Sequence, residues 1–158
     1  MDDLSDIIER LVESEVDFVL VGGLAAVTHG SSMTTQDIDI CCDFSSKNLL
    51  RIQAALAGLH PVHRMTTHQV PLELTETNSQ ALKNLYLDTD WGQLDCLGEI
   101  LGLGSFEEVK QRSETIVLDG MECLILRIDA LITAKEAMSR PKDIETIKQL
   151  KAIQRENT

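Results

Sequence analysis

The sequence predicts an α/β chain of the α+β kind, a mixed β-sheet flanked by helices and closed by a C-terminal helical segment. Three observations lead there. Apolar residues recur at helical spacing in some segments, crowd into short β-branched runs in others, and the two kinds interleave. No repeat, low-complexity tract or linker divides the 158 residues, so a single domain is expected, with a core at about 1–126 and C-terminal helices at about 127–156. Hydrophobic residues make up 43% of the chain, the ordinary share for a domain that buries one core.

Taken in order, residues 3–14 carry Leu4, Ile7, Ile8 and Leu11 at helical spacing, behind acidic residues that suit a helix N-terminus. The β-branched run 16–21 reads as a buried strand bounded by Gly22 and Gly23. A short helix is expected over 24–30, ending at Gly30, and residues 36–42 read as a second strand. Ser45 or Ser46 can cap a helix with Leu49, Ile52, Leu56 and Leu59 on one face. Residues 60–81 have no clear period and no assignment. Segments 82–89 and 92–100, joined by a turn-like stretch, read as a β-hairpin; a short helix over 105–112 and a second hairpin turning at Asp119-Gly120 follow. A helix near 128–139 comes next. Pro141 then fits the first turn of a last helix lined by Ile144, Ile147, Leu150 and Ile153.

Composition narrows the function classes. No stretch approaches the ~18–20 consecutive apolar residues of a membrane helix, and the acidic N-terminus is unlike a secretory signal, so a cytoplasmic chain without membrane partners is expected. Cys41, Cys42, Cys96 and Cys123 show no zinc-ligand spacing and read as buried, reduced thiols. Neighbouring Cys41 and Cys42 should point to opposite faces of a strand, which argues against a shared metal. A net charge of −12 disfavours an extended nucleic-acid surface. The basic residues are concentrated late: the last 24 residues hold six against four acidic ones, which suits either a packed helix or a wall facing phosphate.

The chemistry is concentrated in residues 19–40. A strand ends in Gly22-Gly23 and a helix starts at once, a turn whose backbone N–H groups can seat a phosphate, although such glycine turns are also common loops. Asp37 and Asp39 lie two apart in a strand and so point to one face. Two carboxylates side by side repel, and a hard cation such as Mg²⁺ relieves them; a solvated strand edge is the alternative. Asp95 stands among the apolar Leu94, Cys96 and Leu97, an unusual setting for a surface acid.

This order of strand, Gly-Gly turn, helix and Asp-hydrophobic-Asp strand resembles the polymerase-β-like nucleotidyltransferase superfamily on Gly22, Gly23, Asp37 and Asp39. Residues 131–150 resemble the C-terminal segment of small bacterial members, AbiEii-type toxins and antibiotic nucleotidyltransferases among them. The resemblance implies a nucleotidyltransferase fold in which Asp37, Asp39 and Asp95 are the catalytic carboxylates and hold Mg²⁺ or Mn²⁺. It implies nucleotide-binding roles for Gly22, Gly23, Thr35 and Lys135, with Arg140, Lys142 and Asp143 as further candidates beside Lys135. Asp95 would share a second metal and help deprotonate the acceptor. The implied activity is transfer of a nucleoside monophosphate from a nucleoside triphosphate to an acceptor hydroxyl on a small molecule, a tRNA or a protein.

Two departures weigh on that reading. Relatives often have a serine where this chain has Gly23, and many carry a basic residue shortly before the paired acids, where this chain has Met33, Thr34, Thr35 and Gln36. The substituted stretch leaves a second function open, a degenerate nucleotidyltransferase-fold module acting as one partner of a toxin–antitoxin-like pair. Thr35 or Ser32 could offer a hydroxyl to phosphate, though turn formation suits the Ser31-Ser32 pair better. His29 is read as a helix-end residue, and Tyr86 and Trp91 as packing residues.

Overall fold

The computed structural model describes residues 3–157. Helix α1, Asp3–Glu13, buries Ile7, Ile8 and Leu11 completely, each burial contributing roughly 1.5–3 kcal/mol. A turn through Glu15, at φ +59°, leads into strand β1, Phe18–Val21. The strand is shorter than the 16–21 run because residues 14–16 close the helix with hydrogen bonds back to Arg10, Val12 and Leu11.

Helix α2 spans Gly22–Thr28, so the glycines form its first turn and are not a loop ahead of it. Strand β2 is Asp37–Cys42 and helix α3 is Ser46–Ala55. Ser45 is the N-cap of α3, its side chain accepting from Asn48 N. The stretch without a period contributes a two-residue strand β3, Val62–His63, held between a bridge to Pro71 and strand β4, Asn84–Thr89. Strand β5, Gly92–Leu97, completes the first hairpin. It stops short of residue 100 because Gly98 N turns to Lys83 O, and 99–100 join a separate ribbon, β6 Glu99–Ile100 with β7 Gly104–Ser105.

Helix α4, Phe106–Gln111, starts from a capping box in which Ser105 and Glu108 each serve the other's backbone N–H. Strands β8, Ser113–Leu118, and β9, Met121–Leu126, turn at Asp119 and Gly120, both at positive φ, as a two-residue hairpin loop requires. Helix α5, Ile128–Met138, ends at Ser139 in the left-handed region. A 3₁₀ turn, Pro141–Asp143, with Pro141 at its start, leads into helix α6, Ile144–Glu156.

Seven strands form one sheet in the order β3-β4-β5-β2-β1-β9-β8. β1 pairs antiparallel with β2 and parallel with β9, while β2 and β5 are parallel; the sheet is mixed, as the sequence predicts. The core gathers α1, α3 and the central strands, with Leu20, Ile38, Ile40 and Leu94 fully buried. All four cysteines are buried and free, and burial pushes the Cys41 thiol up to about 12, which makes that thiol unreactive. Among the described residues, no helix is long and apolar enough to cross a membrane.

Candidate active site

The alternation of β2 sends Ile38 and Ile40 into the core and puts Asp37 and Asp39 on the other face. Its parallel neighbour β5 is in register such that Asp39 lies directly opposite Asp95 and Asp37 opposite Gln93. All three carboxylates therefore line one cleft of about 460 Å³, together with Gly22, Gly23 and Thr35.

Asp39 is the most confined of the three. Burial first, then the carboxylates of Asp95 and Asp37, push its pKa from the ordinary 3.8 up to about 6, against partial relief from Lys135 and Arg140. Gly22 explains how the acid fits: at φ +70°, a Cβ on Gly22 would run into Asp39 Oδ2. Glycine is required here by both its backbone angle and the close approach of the carboxylate. The sequence read Gly22 as a seat for phosphate; the structure gives it a steric duty toward Asp39.

Thr35 donates to Asp37 O (3.2 Å) and accepts from Asp37 N (3.4 Å), fixing the entry to β2. Ser31 and Ser32 are engaged by Gln149 of α6: Ser31 Oγ and Ser32 N donate to Oε1, both at 2.9 Å, and Nε2 meets Ser32 Oγ at 3.0 Å. The serine pair therefore pins the last helix to the loop before the acids. His29 Nε2 lies 2.8 Å from Leu126 O and ties α2 to the end of β9, so the helix-end reading fits its place.

The late basic segment reaches the same cleft. Lys135, Arg140 and Lys142 line it, and so does Asp143. Lys135 is buried, its Nζ 3.4 Å from Asp143 Oδ1, while Arg140 clamps Asp143 at 2.6 and 3.2 Å. Burial would raise the Asp143 pKa, but the hydrogen bond from Arg140 and the charge of Lys135 outweigh it and hold the group below the ordinary carboxylate range. Lys135 is thus an ion-pair partner as well as a cleft residue.

Arg64 escaped the sequence reading, and Tyr86, read there as a packing residue, also faces the site. Arg64, just beyond β3, grips Asp95 with both terminal nitrogens, at 2.5 and 3.0 Å, and its guanidinium lies 5.6 Å from the Tyr86 ring. Tyr86 faces Asp95 across β4 and β5 and lines a second, apolar cavity of about 260 Å³ that shares Asp39, Asp95 and Lys135 with the polar cleft. No period marks residues 60–81, so nothing in the sequence pointed to Arg64 except the missing basic residue ahead of Asp37.

The donor set suits a hard divalent cation at Asp37 and Asp39, two carboxylates on one face whose mutual repulsion a cation would relieve. Asp95 does not join them freely, because both its oxygens are held by Arg64. Among the described residues, no three His, Cys, Asp or Glu groups are gathered closely enough to cage a metal.

Two solved structures share this architecture over nearly the whole chain. One is a candidate nucleotidyltransferase from Thermotoga maritima, 18% identical, covering 94% of this chain and 90% of its own, with a TM-score of 0.59. The other is a lincosamide antibiotic adenylyltransferase with lincomycin bound, 17% identical, covering 96% of each chain, with a TM-score of 0.62. The chain has a nucleotidyltransferase fold. No protein-family model matches the sequence, and no curated protein matches it. At these identities the likeness is one of fold, so each side chain's role in this nucleotidyltransferase fold is argued from its own geometry.

Proposed function

We propose that this protein transfers a nucleoside monophosphate from a nucleoside triphosphate to a hydroxyl of a small-molecule acceptor. The observation that carries the reading is the pairing of Asp39 with Asp95 across parallel strands, beside Asp37, in a cleft that also presents Arg64, Lys135, Arg140 and Lys142. Four carboxylates and four cations line the cleft, so a triphosphate with about four negative charges would leave it strongly negative unless a divalent cation came with it. Asp37 and Asp39 are the residues that would hold such a cation, Mg²⁺ or Mn²⁺. Bound there, it would neutralise charge on the phosphates.

The remaining work falls to the chain. The basic residues of the 135–142 segment line the same cleft and would neutralise charge on the outgoing pyrophosphate. Thr35 and the first turn of α2, which meet at Gly23, line the same cleft. The acceptor hydroxyl attacks the α-phosphorus: the new O–P bond forms as the bond to pyrophosphate breaks, and the hydroxyl proton would pass along its hydrogen bond to Asp95 and on to water. Asp95, shared by cleft and cavity, is placed to take the hydrogen bond of that hydroxyl. The apolar cavity, walled by Val21, Leu126, Leu131, Met138 and Ile100, favours a small acceptor with an apolar face over a tRNA end. The acidic chain also suits a cationic acceptor. A lincosamide is the acceptor named for one structural neighbour and is a reasonable first probe.

A test incubates the protein with Mg²⁺, each of ATP, GTP, CTP and UTP, and a panel of hydroxylated antibiotics, following pyrophosphate release and product mass. A mass increase of one nucleoside monophosphate supports the reading. The uncharged residues 33–36 favour one alternative, a non-catalytic partner in a toxin–antitoxin-like pair, with AbiEii-type proteins the toxin-side comparison. Absence of calorimetric heat with any triphosphate at millimolar concentration, with and without Mg²⁺, would favour that alternative.

A further inference from the structure

We infer that Arg64 stands in for a second divalent cation: its guanidinium is the permanent charge partner of Asp95, and the cleft takes one cation, on Asp37 and Asp39. The inference rests on the nucleotidyl-transfer reading above and concerns how that site manages charge. Asp95 is the carboxylate directly opposite Asp39, so it is the acid best placed to hold a second cation. Both its oxygens are instead gripped by Arg64 in a fork, at 2.5 and 3.0 Å. A guanidinium is charged at any working pH and matches a carboxylate bidentately, so no cation concentration is needed to keep this partner in place.

The arginine is held from three sides. Its backbone N donates to Tyr86 O at 2.8 Å, and the strand just before it pairs with β4. Its guanidinium packs 5.6 Å from the Tyr86 ring, and its charged form is favoured first by the Asp95 hydrogen bond and then by the charges of Asp95, Asp88 and Asp37. Two of the other cleft cations, Lys135 and Arg140, are engaged with Asp143. Arg64 also brings to the cleft positive charge that the uncharged stretch Met33 to Gln36 does not supply, and it does so from beyond the edge strand β3, three strands from β2.

The experiment counts Mn²⁺ by electron paramagnetic resonance on the full chain saturated with a non-hydrolysable triphosphate analogue, for wild type, Arg64→Ala and Arg64→Gln. One Mn²⁺ per chain is expected in wild type. Either variant that folds, judged by circular dichroism, should show a second Mn²⁺ binding about tenfold or more tightly than any second ion in wild type, because Asp95 is released. Two tight Mn²⁺ ions in wild type would overturn the inference while leaving the transfer reading intact. A folded variant that gains no second ion would overturn it too. Absence of any saturable Mn²⁺–nucleotide binding would remove the transfer reading itself, a different failure. Should neither variant fold, the wild-type count decides.

Discussion

The acids and the bases of the cleft are built in opposite ways. Asp37, Asp39 and Asp95 come from two adjacent central strands, where the two-residue period and the β2–β5 register fix their positions by backbone hydrogen bonds alone. The cations come from the periphery: Arg64 from a loop beyond an edge strand, Lys135 from α5, Arg140 and Lys142 from the connection to α6. Carboxylates held by a sheet cannot move apart when they repel. The charge problem is therefore met by long side chains brought in from other elements, Lys135 among them from a buried position on α5.

The largest expected effect lies on the acid side. Asp39→Asn should lower transfer by about a hundredfold or more, some 3 kcal/mol of lost transition-state stabilisation, read from kcat/KM with saturating Mg²⁺. The same variant should be more stable than wild type at pH 8, by roughly 1 kcal/mol, since it removes a repelled, largely buried charge. The pH dependence follows in sign. Asp39 titrates near 6 in the folded chain, above its ordinary 3.8, so the folded state holds that proton more tightly than the unfolded one. Its contribution to stability is full below about pH 4 and is lost as pH rises through about 6. Thermal melts across pH 4–8 should show the advantage of Asp39→Asn opening in that window; a constant offset would mean Asp39 is not under strain.

Gly22→Ala tests the seat of that acid. With φ at +70° and Asp39 Oδ2 in the way, a loss of about 3 kcal/mol in denaturant unfolding is expected. A loss below about 1 kcal/mol would show that β2 can yield, and the contrast between a rigid acid platform and adaptable bases would fail.

On the basic side, Lys135→Ala should cost about 1–2 kcal/mol, less than breaking a lone buried pair, because Arg140 still holds Asp143. The discriminating number is the KM for the nucleotide. A rise of about tenfold places Lys135 on phosphate, whereas an unchanged KM with a lowered Tm leaves it as an ion-pair partner. The smallest effect belongs to Gln149→Ala, which frees the loop at Ser31 and Ser32 from α6 and should cost about 1 kcal/mol in thermal stability.

Much of this was written locally. The helical spacing of Ile7, Ile8 and Leu11, the β-branched run into Gly22, the Asp-Ile-Asp alternation and the Asp119-Gly120 turn are each specified by neighbouring residues, and the corresponding elements form there, with β1 starting two residues later than its run. The apolar setting of Asp95 marked it in the same way, because an acid between buried neighbours in a strand must share a face with something that tolerates charge. The exceptions are instructive. Gly98 ends β5 early through a hydrogen bond to Lys83, a partner fifteen residues away, and no local pattern carries that. Arg64 lies in a stretch without a period, and its grip on Asp95 depends on how far β3 and β4 carry the chain across the sheet edge. The same holds for Lys135 and Asp143, whose pairing is made by the turn at Ser139 to Pro141. Backbone periodicity is a short-range property, so the sequence by itself determined the strands, the helices and the face on which the acids stand. Which cation meets which carboxylate is set by long side chains converging from distant elements, and only the tertiary structure decided it.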